Sequence, residues 1–235
     1  MSTKSAQCEG RPPAPLAPAW HTGALIGLIV AVATTGAALQ DRGVWAGAPA
    51  ASSRILTMYV PMIAVEGGLV AYVCRIGRPH NVLGQLIGER WTSLRPAVID
   101  VALALLLALM IGASEWYART VGMTSSPSSA DVHPHAIAER LVWIAVAVSV
   151  GSGEEIVYRG YLQTQLTAFT RSSGAGILLQ AILFAIAHAD QGASTAARFV
   201  LYGMAFGSLA WWRRGLLAAM TCHVLIDLAA GFAGG

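Results

Sequence analysis

The apolar residues of this chain gather into seven long segments, at residues 21–39, 55–74, 97–116, 136–150, 174–189, 196–212 and 216–232. A helix needs roughly 20 mostly apolar residues to cross a bilayer. In hydrocarbon every backbone N–H and C=O must be paired within the chain, which selects helices over open strands. Charge usage agrees: only 11% of residues are charged, against the roughly 25% of a soluble domain. The predicted fold is therefore an all-α, polytopic transmembrane helix bundle of about seven spans. A net charge of +3 without any long run of basic residues gives no sign of a nucleic-acid partner, and the lipid bilayer becomes the expected surroundings.

The sequence divides into three parts. Residues 1–19 form a polar, Pro-rich N-terminal tail, residues 20–135 carry N-terminal transmembrane helices and loops, and residues 136–235 hold the core helices with the chemistry-bearing motifs. No apolar core precedes Cys8, so the first apolar segment is expected to be retained as a span rather than cleaved. Val82, Leu83, Leu86 and Ile87 recur at helical spacing beside Arg90 and Trp91, the pattern of an interfacial amphipathic helix. Residues 117–135, rich in Ser and Pro, read as a loop. Three cysteines, Cys8, Cys74 and Cys222, without a CxxC pair, give no disulfide framework. With the N-terminus on the cytoplasmic side, the inner links carry Lys4, Arg11, Arg75, Arg78, Arg90, Arg95, Arg171, Arg213 and Arg214. The outer links then carry Arg42, Arg54, Arg119, Arg140 and Arg198, and the excess sets that orientation.

Ionisable groups inside apolar segments need a partner or a purpose, because placing a charge at bilayer depth costs about 2.5–3.5 kcal/mol on insertion scales. Glu66, Glu154, Glu155, Arg159, His188, His223 and Asp227 are such groups, and all but Glu66 lie between residues 154 and 227. In the stretch GSGEEIVYRG, Glu155 and Arg159 are four residues apart in the acid-before-base order that pairs well on one helix face. Glu154 is rotated about 100° away along the helix and lies over Tyr158, with no cation of its own in the segment. The two carboxylates can thus serve separately, Glu155 as a held ion and Glu154 as a general base for water. Gly151, Gly153 and Gly160 would admit a close approach of backbone or substrate. Phe184 and His188, and His223 and Asp227, repeat the four-residue spacing on two further helices. Two chemistries follow from this inventory. His188 and His223 with a carboxylate could bind Zn²⁺ and leave a position open for water. Alternatively Glu154 and His188 activate water without metal, while His223 and its neighbour stabilise an oxyanion. HExxH is absent, so the soluble zincin arrangement is not present.

The ordered motifs EExxYR (Glu154, Glu155, Tyr158, Arg159), FxxxH (Phe184, His188) and HxxxD (His223, Asp227) resemble those of the CPBP family. That family comprises the CAAX prenyl endopeptidases, the bacteriocin-processing proteins and the Abi proteins. The resemblance extends over roughly residues 136–232 and implies an intramembrane endopeptidase, metalloprotease or glutamate-type, acting on a membrane-associated or prenylated CAAX-type protein or peptide. It implies catalytic roles for Glu154, the water-activating glutamate with His188, and for His223 and Asp227, with Glu155 and Arg159 as a supporting ion pair. The family often has Asn where this chain has Asp227. An ionised Asp cannot donate to an oxyanion, so Asp227 either carries a proton or orients His223. A non-catalytic Abi or immunity-type interaction protein is the alternative. The expected location is a bacterial inner membrane, in multi-pass form. Glu66 is left outside the catalytic set, and Asp100, just after Pro96, is read as a capping or interfacial carboxylate.

Overall fold

The computed structural model describes residues 14–41, 54–76, 82–88, 91–123 and 132–233. Most of the N-terminal tail, and the positions of Lys4, Cys8, Arg11, Arg42, Arg78 and Arg90, lie outside the described residues. The described chain is helical, its only extended pairing among those residues being an isolated bridge between Gly88 and Gly215. The helices are α1 (Ala19–Asp41), α2 (Ile55–Ile76), α3 (Val82–Ile87), α4 (Leu94–Thr120), α5 (Ile137–Thr170), α6 (Ser173–Ala187), α7 (Ala193–Arg213) and α8 (Leu217–Ala233).

Among the described residues, four helices are long and apolar enough to cross a membrane: the one over Ala19–Ala38, then α2, α4 and α5. Two more, α6 and the Leu217–Phe232 part of α8, are apolar but shorter. α7, interrupted by Arg198 and several small polar residues, is not among them. The seven apolar segments thus all become helices, yet a helix of 15 residues such as α6 spans only about 22 Å at 1.5 Å per residue, short of the roughly 30 Å hydrocarbon core. The fourth segment is longer than its hydropathy suggests. It continues through the charged GEEIVYR stretch to Thr170 as one helix, with Glu155 and Arg159 paired inside the bundle.

The bundle is organised about α5. Its middle stretch, Glu155–Leu162, is π-helical and buried at every position, packed by α2, α3, α6 and α7. Leu25 and Ile29 of α1, Val73 of α2, Leu86 of α3 and Phe184 of α6 close an apolar cluster around Tyr161 and Leu162. The amphipathic α3 lies in that shell: Leu86 is buried while Leu83 is exposed. Its end is clipped to the α7–α8 link, where Leu216 N–H donates to Ile87 O at 2.8 Å. Gly88 there has φ +76°, and a Cβ would strike the backbone of Arg214 and Gly215, so glycine is required for both reasons.

Three ion pairs fasten the periphery. Arg54 donates to Glu139 at 3.0 Å, Arg198 of α7 to Glu115 of α4 at 2.9 Å, and Arg213 of α7 to Asp100 of α4 at 2.6 Å. Asp100 is therefore not a cap. Helix α4 begins at Leu94 with Ser93 as N-cap, and Asp100 instead accepts from Arg213 and from Trp91 Nε1 at 2.8 Å. The 117–135 loop is also shorter than expected, since α4 runs on to Thr120.

Candidate functional site

Three helices bring the buried acids and imidazoles together. α5 supplies Glu154, Glu155 and Arg159, the end of α6 supplies His188, and α8 supplies His223 and Asp227. α5 and α8 approach closely at Gly151, where a Cβ would lie 2.9 Å from Val224 N and 3.2 Å from Asp227 Oδ2. Without a side chain at Gly151, the Glu154 turn can sit directly against the His223 turn.

Glu154 stands between two imidazoles. Its Oε1 is 3.8 Å from His188 Nε2 and its Oε2 is 3.5 Å from His223 Nε2. The Oε2 atom is buried and has no hydrogen-bond partner among the described residues. Both rings are held from behind. His188 Nδ1 lies 2.8 Å from the carbonyl oxygen of Phe184. A carbonyl only accepts, so Nδ1 carries a proton and the ring is turned with Nε2 toward Glu154. His223 Nδ1 lies 2.9 Å from Glu155 Oε1, which fixes that ring with Nε2 facing Glu154 and Asp227. Aromatic stacking completes the clamp: Phe199 lies on His188 at 4.6 Å between centroids, and Phe206 lies on His223 at 5.3 Å.

Glu155 and Arg159 form the expected pair at 2.8 Å, both side chains wholly buried. The same Glu155 Oε1 serves Arg159 and His223. The guanidinium also lies over Phe184 at 4.3 Å and Phe206 at 5.0 Å, a cation–π arrangement that offsets part of its desolvation. Asp227 Oδ1 is 3.9 Å from His223 Nε2, beyond hydrogen-bond distance. The group hydrogen-bonded to His223 is therefore Glu155, with Asp227 beside the ring. Asp227 is itself anchored by its backbone, whose carbonyl accepts from Trp143 Nε1 at 2.8 Å.

All six sequence-selected residues thus fall in one cluster. Reading the sequence missed the Glu155–His223 contact, which links residues 68 apart, and the aromatic lids Phe199 and Phe206. The lids had a readable signal: Phe199, Tyr202 and Phe206 recur at helical spacing along α7. Among the described residues, no three His, Cys, Asp or Glu side chains gather closely enough to hold a metal ion. His188 and His223 are among the donors not so gathered.

Chemically, the cluster offers a carboxylate with an unused oxygen, an imidazole whose Nε2 faces it, and a second imidazole held by a carboxylate. That is equipment for proton transfer to and from water. Residues 136–229 match the family model described as type II CAAX prenyl endopeptidase Rce1-like. No curated protein and no solved structure matches the chain.

Proposed function

The chain belongs to the CPBP family through residues 136–229, and we propose that it is a glutamate-dependent intramembrane endopeptidase of CAAX-type substrates. The observation that carries this reading is the position of Glu154 between the Nε2 atoms of His188 and His223. A water donating its two hydrogens to Glu154 Oε1 and His188 Nε2 has its oxygen lone pair directed away from both. Glu154 removes one proton as that oxygen bonds to the peptide carbonyl carbon. His223, as an imidazolium with Nδ1–H held by Glu155, directs Nε2–H at the developing oxyanion. Collapse of the tetrahedral adduct breaks the C–N bond, and the proton on Glu154 passes to the leaving nitrogen. Glu154, Glu155 and Asp227 surround His223 with the negative charge that an imidazolium requires, a role for Asp227 that needs no donated hydrogen bond.

The substrate is a membrane-associated or prenylated protein or peptide, cleaved in a wet cavity within a bundle whose lipid-facing helices satisfy their own backbone groups. Seven spans, with the N-terminus cytoplasmic and the protein in a bacterial inner membrane, form the finer topology of this reading. The test is cleavage of a farnesylated CAAX peptide by the protein in liposomes. Glu154→Gln and His188→Ala should each lower turnover roughly 10²–10⁴-fold. Undiminished cleavage by both variants would sink the assignment and favour the non-catalytic interaction protein.

A further inference from the structure

Glu66 lies on α2, outside the matched stretch of residues 136–229, and no step above uses it. It is 7% exposed and its Oε1 is buried with no hydrogen-bond partner among the described residues. The other buried carboxylates of the peripheral and central pairs all have cations or N–H donors beside them. Its side chain rests on α5 at Gly153, where a Cβ would fall 2.6 Å from Oε1. Glycine at that position therefore makes the room that Glu66 occupies, one residue before Glu154. A buried carboxyl oxygen with no donor destabilises a fold, so its retention beside the reactive carboxylate needs a purpose that packing does not supply.

A peptide drawn into the bundle leaves bulk water, and its backbone N–H groups need acceptors there. His188 and Glu154 are occupied with water, and His223 and Arg159 are donors. Glu155 and Asp227 lie against the His223 ring, and Glu66 is a buried acceptor outside those contacts. We infer that Glu66 is a further substrate-contacting residue, its Oε1 accepting the backbone N–H beside the scissile bond and then the ammonium that cleavage creates. A carboxyl oxygen accepts whether or not the other oxygen bears a proton, so the contact does not depend on the charge of Glu66. This inference rests on the peptidase reading, and it extends the site to the first half of the chain.

Two variants separate contact from packing. Glu66→Gln keeps a carbonyl acceptor, whereas Glu66→Met keeps the volume and removes it. With the farnesylated peptide in liposomes, Glu66→Met should lower kcat/KM roughly tenfold or more, chiefly through KM, while Glu66→Gln stays within about threefold. The thermal midpoint of Glu66→Met should be no lower than that of the wild type, since an unpartnered buried carboxyl is removed. The same peptide, fluorescently labelled, should bind the Glu154→Gln protein about tenfold more tightly than it binds Glu154→Gln/Glu66→Met. Unchanged cleavage by Glu66→Met, unchanged binding in the Glu154→Gln background, or an equal loss in Glu66→Gln and Glu66→Met each overturns the inference. A wild type that binds the peptide through Glu66 but never cleaves it overturns the peptidase reading and leaves the contact standing.

Discussion

Replacing Glu155 with Leu separates the structural and chemical duties of one carboxylate. Its Oε1 is the acceptor for Arg159 Nη1 at 2.8 Å and for His223 Nδ1 at 2.9 Å. Arg159 is 2% exposed, and its Nε and Nη2 already lack hydrogen-bond partners among the described residues. Glu155→Leu therefore strands a buried guanidinium, an uncompensated charge whose cost is about 3–5 kcal/mol. The faces of Phe184 and Phe206 remain against it and offset about 1–2 kcal/mol of that at most. The double variant Glu155→Leu/Arg159→Met removes both charges and fills both volumes with apolar atoms, so stability should return to near the wild-type value. Turnover should not return, because His223 Nδ1 still has no acceptor. Loss of one hydrogen bond to a charged group is about 1.5–3 kcal/mol, or roughly 10- to 100-fold in rate at 1.36 kcal/mol per decade. Thermal unfolding in detergent reads the first effect, and cleavage in liposomes reads the second. If the double variant regains turnover along with stability, Glu155 is merely the counter-ion of Arg159 and its part in orienting His223 is refuted.

Two further outcomes follow from the same geometry. Gly231→Ala places a Cβ on the indole of Trp143, displacing it from the carbonyl of Asp227 that it holds at 2.8 Å; overpacking of this kind should lower stability by about 1–3 kcal/mol, seen as a reduced thermal midpoint. Because the carboxylates and imidazoles of the site are not gathered into a metal-binding group, exhaustive treatment with a strong chelator should leave cleavage of the farnesylated peptide unchanged; loss of activity restored by added Zn²⁺ would contradict the glutamate mechanism.

What the sequence reveals about this bundle is what local periodicity encodes. The helical segments, the amphipathic turn at Leu83 and Leu86, and the Glu155–Arg159 pair all depend on neighbours within a few residues. The convergence of Glu154, His188, His223 and Asp227 could be expected only because three motifs in order resemble a family, since spacing along one helix cannot say which face meets another. Long-range partners are where local reading stops. Glu155 meets His223 because Gly151 lets α8 lie against α5, and Asp100 meets Arg213 because α7 returns beside the start of α4. Glu66 was visible as a misplaced charge, but its relation to Glu154 required the packing of α2 on Gly153. Hydropathy likewise marks seven segments yet does not measure them against the bilayer, and α6 is shorter than a full crossing.

The distribution of buried charge separates the frame from the chemistry. At the rim, each acid has its own cation on another element: Glu139 with Arg54, Glu115 with Arg198, Asp100 with Arg213. Such one-to-one pairs fix helices against one another, and breaking one leaves an uncompensated partner. At the centre the count does not balance. Glu66, Glu154, Glu155 and Asp227 share one arginine, Arg159, and two imidazoles, His188 and His223. Acids in excess of fixed cations, enclosed by apolar helices, can be stable only if protons or bound donors supply the missing positive charge. A cluster built for stability alone would have closed that deficit with another Arg, as the rim does. An unbalanced centre instead leaves acceptor oxygens on Glu66 and Glu154 for donors that arrive from outside, the hydrogens of water and the N–H groups of a peptide.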